Sequence, residues 1–377
     1  GVAALAVGLF WRGGFLSHAP RDDSSMSLAD LLAAAEPGFA GAESQWHFRF
    51  PDDHGAHPEF RSETWHLTGA LSDESASVYG FQLTFIRLGL APAPPQRRSA
   101  WASSQVYGAL FALTDVTGGT FESFQRVSRA ALGLAGAQEQ PVRLWVEDWL
   151  LEATGTDGFR LQAGAADLRL ALSLTGIKPA FLQGDLEQRP GLAQRGQGGF
   201  HSYLMPRLDA RGVLRIADEE RPVSGTAWLD RAWGEIPVAG GPLSFNRLTL
   251  QLDDGRDLMC LVLRRRAGGG TPIPSCVMIA ADGSARRFGR RQVRMEPTGE
   301  WRSPLDGTRY PVRWRILIPD QELELAVVPL VDDQELDFAF RAWSGAVSVE
   351  GVAGAVTVTG RGQLELTGYA LAPESSG

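Results

Sequence analysis

The sequence predicts an all-β protein made of two barrel-like β-sandwiches packed together, with few short helices. Three observations lead there. Short runs of alternating apolar and polar residues recur at regular spacing; the turns between them are rich in Gly (44 residues) and Pro (22); and Trp is enriched, at 11 residues. A chain of 377 residues exceeds one ordinary core, so two domains are expected. Hydrophobic residues at 44% and charged residues at 21% describe a globular protein with ample material for buried cores. The net charge of -8 gives a nucleic-acid role no electrostatic support. Lys178 is the only lysine, which confines any lysine chemistry to that position.

In chain order, the run Gly1 to Trp11 is small and apolar and is followed by Arg12. It has the character of a secretory h-region or the end of a membrane anchor, so residues 1–20 are read as such a remnant. The expected location is therefore outside the cytoplasm, periplasmic or anchored to the outer face of the inner membrane. Ser27 to Ala35 reads as a short helix with a serine cap and a Pro37-Gly38 stop. Trp46 to Phe50 alternates like a strand, then a turn-rich run leads into strands Glu63–Leu71, Val78–Leu88 and Tyr107–Val116. Phe121 to Leu134 reads as mixed, with a short basic helix. Val142–Ala153, Phe159–Ala163 and Asp167–Thr175 complete a meander, giving a first β domain over 40–180. The Pro-, Gly- and Gln-containing connection Ala180–Gly198 marks the boundary, and strands from Phe200 to Tyr369 make a second β domain over 199–371.

Cys260 and Cys276 sit one hairpin apart, which allows a cross-strand disulfide or two free buried thiols; free thiols are the expectation. No CxxC pair exists, so no thiolate zinc site is expected. His54 and His57, near Asp52 and Asp53, could chelate a metal if the loop folded back, but Gly55 and Pro58 more simply describe a tight loop fixed by imidazole hydrogen bonds. No metal or cofactor is expected. Nucleophile-elbow and phosphate-loop patterns are absent. The basic cluster Ala285–Arg291 reads as a solvated strand face; its sharper reading is contact with an anionic membrane surface.

Gly225 to Gly234 stands out chemically, with two tryptophans, an acid and an arginine. Period-2 alternation sends Ala227, Leu229 and Arg231 one way and Trp228 and Asp230 the other. A carboxyl among indoles is either kept protonated for chemistry or paired with an arginine, Arg231 or Arg247. On the earlier strand, Glu63 and Trp65 share one face, and Thr64 and His66 the other.

Several stretches together resemble the AttH-like, carotenoid-hydratase-related family. They are Phe50 to Gly69, Tyr79 to Arg87, Phe111 to Asp115, Val223 to Gly234, Leu250 to Met259 and Gly360 to Tyr369, in order. The resemblance implies two lipocalin-like β domains in tandem, and members that include hydratases and pericyclase-like proteins, some of them exported and encoded beside ABC-type permeases. The chain departs from the family pattern where Thr64, His66, Arg231 and Ala232 stand, and in Phe245-Asn246-Arg247 and Ala342-Trp343-Ser344-Gly345. Two acids of the presumed pocket are lost there.

Two functions of different class follow. One is an exported lipocalin-like protein that binds an apolar isoprenoid or lipid, with an ABC-type permease as a partner. The other is a hydratase, isomerase or cyclase acting on an isoprenoid or polyene, with Asp230 as the acid and aromatic faces holding a cation. The residues expected at the ligand are Glu63, Trp65, His66, Trp228, Arg231, Trp233, Asn246 and Trp343. Asp230 paired with an arginine would favour the binding protein.

Overall fold

The computed structural model describes residues 38–42, 46–92, 103–182, 199–234, 243–265, 271–338 and 341–369. The apolar run at 1–20, the helix expected at Ser27–Ala35 and most of the 180–198 connection lie outside the described residues. Apart from two short 3-10 turns, Asp52–His54 and Pro319–Gln321, the regular structure described is all strand.

Twelve strands form the first sheet: β1 (Ser62–Asp73), β2 (Val78–Gly89), β3 (Gln105–Asp115), β4 (Thr120–Arg129), β5 (Ala135–Glu139), β6 (Val142–Val146), β7 (Trp149–Ala153), β8 (Gly158–Ala165), β9 (Leu168–Gly176), β10 (Phe181–Leu182), β11 (Phe200–Ile216) and β12 (Glu219–Gly234). The order is β4-β3-β2-β1-β12-β11-β9-β8-β7-β6-β5, with β10 beside β11. Its two ends approach one another where β3 and β4 meet β5 and β6, so the sheet is a nearly closed barrel.

The second sheet has ten strands: β13 (Leu243–Leu252), β14 (Asp257–Arg265), β15 (Ile273–Ile279), β16 (Ala285–Phe288), β17 (Arg294–Arg302), β18 (Arg309–Ile318), β19 (Leu323–Pro329), β20 (Glu335–Leu336), β21 (Ala342–Ala353) and β22 (Val356–Thr367). It runs β16-β15-β14-β13-β22-β21-β19-β18-β17 and forms a half-barrel.

Three expectations are corrected. The boundary between sheets falls between Gly234 and Leu243, not in the 180–198 connection, because β11 and β12 pair with β9 and β1 of the first sheet. The residues expected to open the second domain therefore complete the first. The segment expected to hold a short basic helix is strand β4, paired with β3 along its length. Trp46 to Phe50 forms no strand; Trp46 and Phe48 pack their rings against Trp233 instead.

Each sheet has its own apolar core. Trp65, Leu67, Phe81, Phe85, Trp149 and Leu229 belong to the first, and Leu248, Leu250, Trp314, Leu325, Trp343 and Leu364 to the second. Cys260 and Cys276 face each other on β14 and β15 inside the second core and form a disulfide, in place of the free thiols expected. The second sheet covers the outer face of β1, β2, β3 and β12, so these strands are buried on both sides. That explains why polar residues alternate with apolar ones and yet both kinds are buried.

The sheets approach closely. A Cβ at Gly80 would lie 2.3 Å from the Cβ of Ala346 on the other sheet, so only glycine fits. Two apolar clusters span the gap: Leu110 and Ala112 with Phe245, Leu336 and Ala342, and Leu204 and Trp228 with Met259, Val277 and Ile279. Between them runs a polar seam. Ser344 donates to Gln82 (2.7 Å), Thr114 to Gln334 (2.6 Å), and Thr226 to Gln251 (2.7 Å). Lys178 bridges Asp257 (2.6 Å) and the carbonyl of Gly255 (2.5 Å).

Candidate functional site

The candidate site lies in that seam, where two rows of side chains face one another. On the first sheet, strand register places Leu110, Thr84, His66, Asp230 and Leu204 side by side. On the second, it places Ser344, Glu365, Arg247, Leu261 and Ser275 side by side. Asp230, Arg247, Glu365 and His66 meet at the centre, and each is almost wholly buried.

Arg247 holds the group together. One Nη donates to Asp230 across the interface in a short contact, and the other donates to Glu365 at 2.6 Å. His66 Nε2 lies 3.1 Å from Glu365 Oε1, at ion-pair distance but poorly aligned for a hydrogen bond, and its Nδ1 is 2.8 Å from Thr84 Oγ1. Burial pushes the Glu365 carboxyl up, but Arg247 and then His66 outweigh it and hold it at about 2, below its usual 4.5. Burial pulls the Arg247 guanidinium down, and Asp230 and Glu365 more than restore it.

The network is incomplete. Asp230 Oδ1, Arg247 Nε, Glu365 Oε1 and the Trp228 Nε1 on the same strand face are buried without a hydrogen-bond partner in the protein. A buried polar atom without a partner is costly, so these atoms mark where a further polar group can be received. Leu261 and Leu263 pack on the neighbouring apolar cluster and stay half-buried.

Glu63, Trp65, Arg231 and Trp233 do not join this group. They point into the first barrel, as the alternation of Asp230 and Arg231 requires. Glu63 accepts from the His57 backbone N–H at 2.9 Å, and from Arg87 and Arg231 in short contacts. The Arg231 guanidinium lies 3.8 Å over Trp65 and 4.8 Å from Trp233. The His57 ring stacks on Trp233 at 4.0 Å and 5°, 3.0 Å from Asp53. Burial pushes the Glu63 carboxyl up, but Arg87, Arg231 and His57 outweigh it and hold it far below the usual range. His54 contacts the Tyr203 hydroxyl at 2.6 Å and the Thr156 carbonyl at 2.9 Å. These bonds spend both imidazoles and fasten the Pro51–Phe60 turn into the barrel. These four residues therefore lie apart from Asp230: they form a clasp on the opposite face of β1 and β12.

The remaining expected residues divide. Trp228 lies in the apolar cluster beside Asp230. Asn246 faces the second core, where Tyr369 donates to it at 3.0 Å. Trp343 is fully buried there and donates to the Asp332 carbonyl at 2.9 Å. Of the expected ligand residues, His66 and Trp228 accompany Asp230. Glu365 was missed, although Leu364 and Leu366 on either side of it place it, with Gln363 and Thr367, on the other strand face.

Comparison with known proteins follows this geometry. The AttH-like family model matches residues 41–369. An AttH-type protein of Nitrosomonas europaea is 32% identical and superposes with a TM-score of 0.74, over 88% of this chain and 100% of that one. Kievitone hydratase from Nectria haematococca superposes with a TM-score of 0.63 at 14% identity, over 87% and 95% of the two chains. CghA does so at 0.54 and 15%, over 88% and 95%. No curated protein matches the sequence. The last two structures speak to the fold alone. With most of its length matched by the family model and by a relative of one-third identity, the chain belongs to the AttH-like family.

Proposed function

We propose that this chain binds a largely apolar molecule, of isoprenoid or lipid type, that carries a polar group to the buried row between its two sheets. The observation that carries the reading is the pairing of Asp230 with Arg247. It makes Asp230 part of an ion-paired polar floor with unpartnered atoms, flanked by apolar clusters. A few placed polar groups among apolar walls is the usual build of a small-molecule site. The competing reading, a hydratase or cyclase with Asp230 as acid, needs a carboxyl standing apart from cations, and Asp230 does not stand apart. Kievitone hydratase shares the fold at 14% identity, too distant to lend its reaction.

Export belongs to the same proposal. The Cys260–Cys276 disulfide supports it, since such bonds persist in oxidising compartments. The family resemblance adds an ABC-type permease as the partner to seek. The test of ligand binding is to purify the protein natively from its host and extract it for mass spectrometry, alongside an Asp230→Asn/Arg247→Leu variant. An apolar molecule in the first sample and not in the second supports the reading. An empty wild-type protein that also fails to take up added isoprenoids or lipids overturns it.

A further inference from the structure

The loop between β4 and β5 presents an apolar tip that the fold does not need. Leu132 stands at its apex with 61% of its surface exposed, and Leu134 follows at 41%. Leu132 adopts φ +55, a left-handed conformation that a branched side chain occupies under strain. The next residue, Gly133, points into open space, with no atom within 4 Å of where a Cβ would stand. A turn kept only for the fold would gain from glycine or asparagine at Leu132, so strain and exposure together point to an outside contact.

The surroundings say what that contact is. Trp145, half-buried, lies flat against Gly136 and donates its indole N–H to the Gly133 carbonyl at 2.9 Å, which fixes the ring beside the tip. The Arg143 guanidinium lies 5.4 Å from that ring, and Arg129 is exposed where β4 enters the loop. Among the described residues neither arginine makes an ion pair; of the nearby acids, Glu147 and Asp148 are held by Arg126 and Arg169, and Glu152, opposite Arg143, faces Arg160 at 3.6 Å. Leucines at an apex, a tryptophan at their base and free arginines around it match the layers of a bilayer surface, from acyl chains to headgroups. The basic cluster at 285–291 is a poorer candidate, since Arg286 faces Asp320 at 3.6 Å and Arg287 covers Phe181.

We propose that the Leu132–Leu134 tip inserts into an anionic bilayer surface, with Arg129 and Arg143 on the headgroups. The proposal is independent of the ligand site. It is tested by co-sedimentation of the full chain with phosphatidylcholine vesicles, with and without phosphatidylglycerol. Wild-type protein should bind the anionic vesicles in a salt-sensitive way. Leu132→Glu/Leu134→Glu should lower binding by about tenfold or more, given the apolar area lost. Arg129→Gln and Arg143→Gln should each lower it by about fivefold. Leu132→Gly separates the roles: relief of the left-handed strain should leave thermal stability equal or higher, while vesicle binding falls. Absence of wild-type binding overturns the proposal. So does binding that the leucine variants leave unchanged, or an apolar tip that serves only to join two copies of the chain in size-exclusion chromatography.

Discussion

Asp230 and Arg247 belong to different sheets, and their side chains meet at the middle of the interface between them. Arg247 also holds Glu365 on its own sheet, so one guanidinium answers two buried carboxylates. The pair has unequal members, and removing either should show it.

Arg247→Leu strands two buried acids in the interface and should destabilise the protein by about 3–5 kcal/mol. Asp230→Asn leaves Arg247 paired with Glu365 and should be milder, at about 1–3 kcal/mol. Urea unfolding of the two variants checks the order. Equal losses would mean that Glu365 takes no share of Arg247.

Acid should unfold the protein through its buried carboxylates. Glu365 has a folded-state value near 2 against 4.5 for the free group, and Glu63 is also depressed. Groups lowered in this way contribute stability that is fully present above the unfolded value and is lost as pH falls through the folded one. Thermal midpoints should therefore fall steeply between 4.5 and pH 2, after a gentler decline that starts near 6.5, where burial disfavours protonation of His54 and His201. Glu365→Gln should flatten part of that slope while lowering the plateau.

The disulfide should be quantitative. Denatured, unreduced protein should show no thiol reactive to a maleimide, and two after reduction, from Cys260 and Cys276. Cys260→Ser/Cys276→Ser should cost about 3 kcal/mol, as expected for a loop of this short span. Two reactive thiols without reduction would remove the support that the bond lends to export.

Inside the first barrel, Glu63 sits between Arg87 and Arg231. Glu63→Gln leaves two buried guanidinia without their shared anion, with an expected loss of about 3–5 kcal/mol. Arg231→Met leaves the Glu63–Arg87 pair intact and should cost less. Since both residues face the barrel, bound ligand measured per folded molecule should be unchanged in Arg231→Met.

Much of this was legible in the sequence because alternation is a local property. The opposite facing of Asp230 and Arg231, and of Trp65 and His66, follows from a period of two and holds along the whole β1–β12 pairing. The tight turn at His54 and His57 was legible from Gly55 and Pro58. Which elements become neighbours was not. Nothing local in Phe200 to Gly234 says that it pairs backwards with β1, a strand more than a hundred residues earlier, and a Gly- and Gln-rich connection before it suggests the contrary. For the same reason Glu365 passed unnoticed. Its meaning arises only when β22 is laid against β13 and the interface brings Asp230 to their shared arginine. Strand Thr120–Arg129 was misjudged because its exposed, polar pattern lacks a clean apolar stripe.

The late pairing of β12 with β1 has a consequence for how the protein comes into being. During synthesis β1 emerges early and finds β2 at once, but its other edge must wait until residues 223–234 have been made. Through that interval the growing chain carries an open, apolar strand edge, which is a site for mispairing with another nascent chain. A polypeptide stopped at residue 182 would keep that edge permanently and should aggregate. The first barrel is thus a unit of architecture but not of folding, and its independence begins only at Gly234.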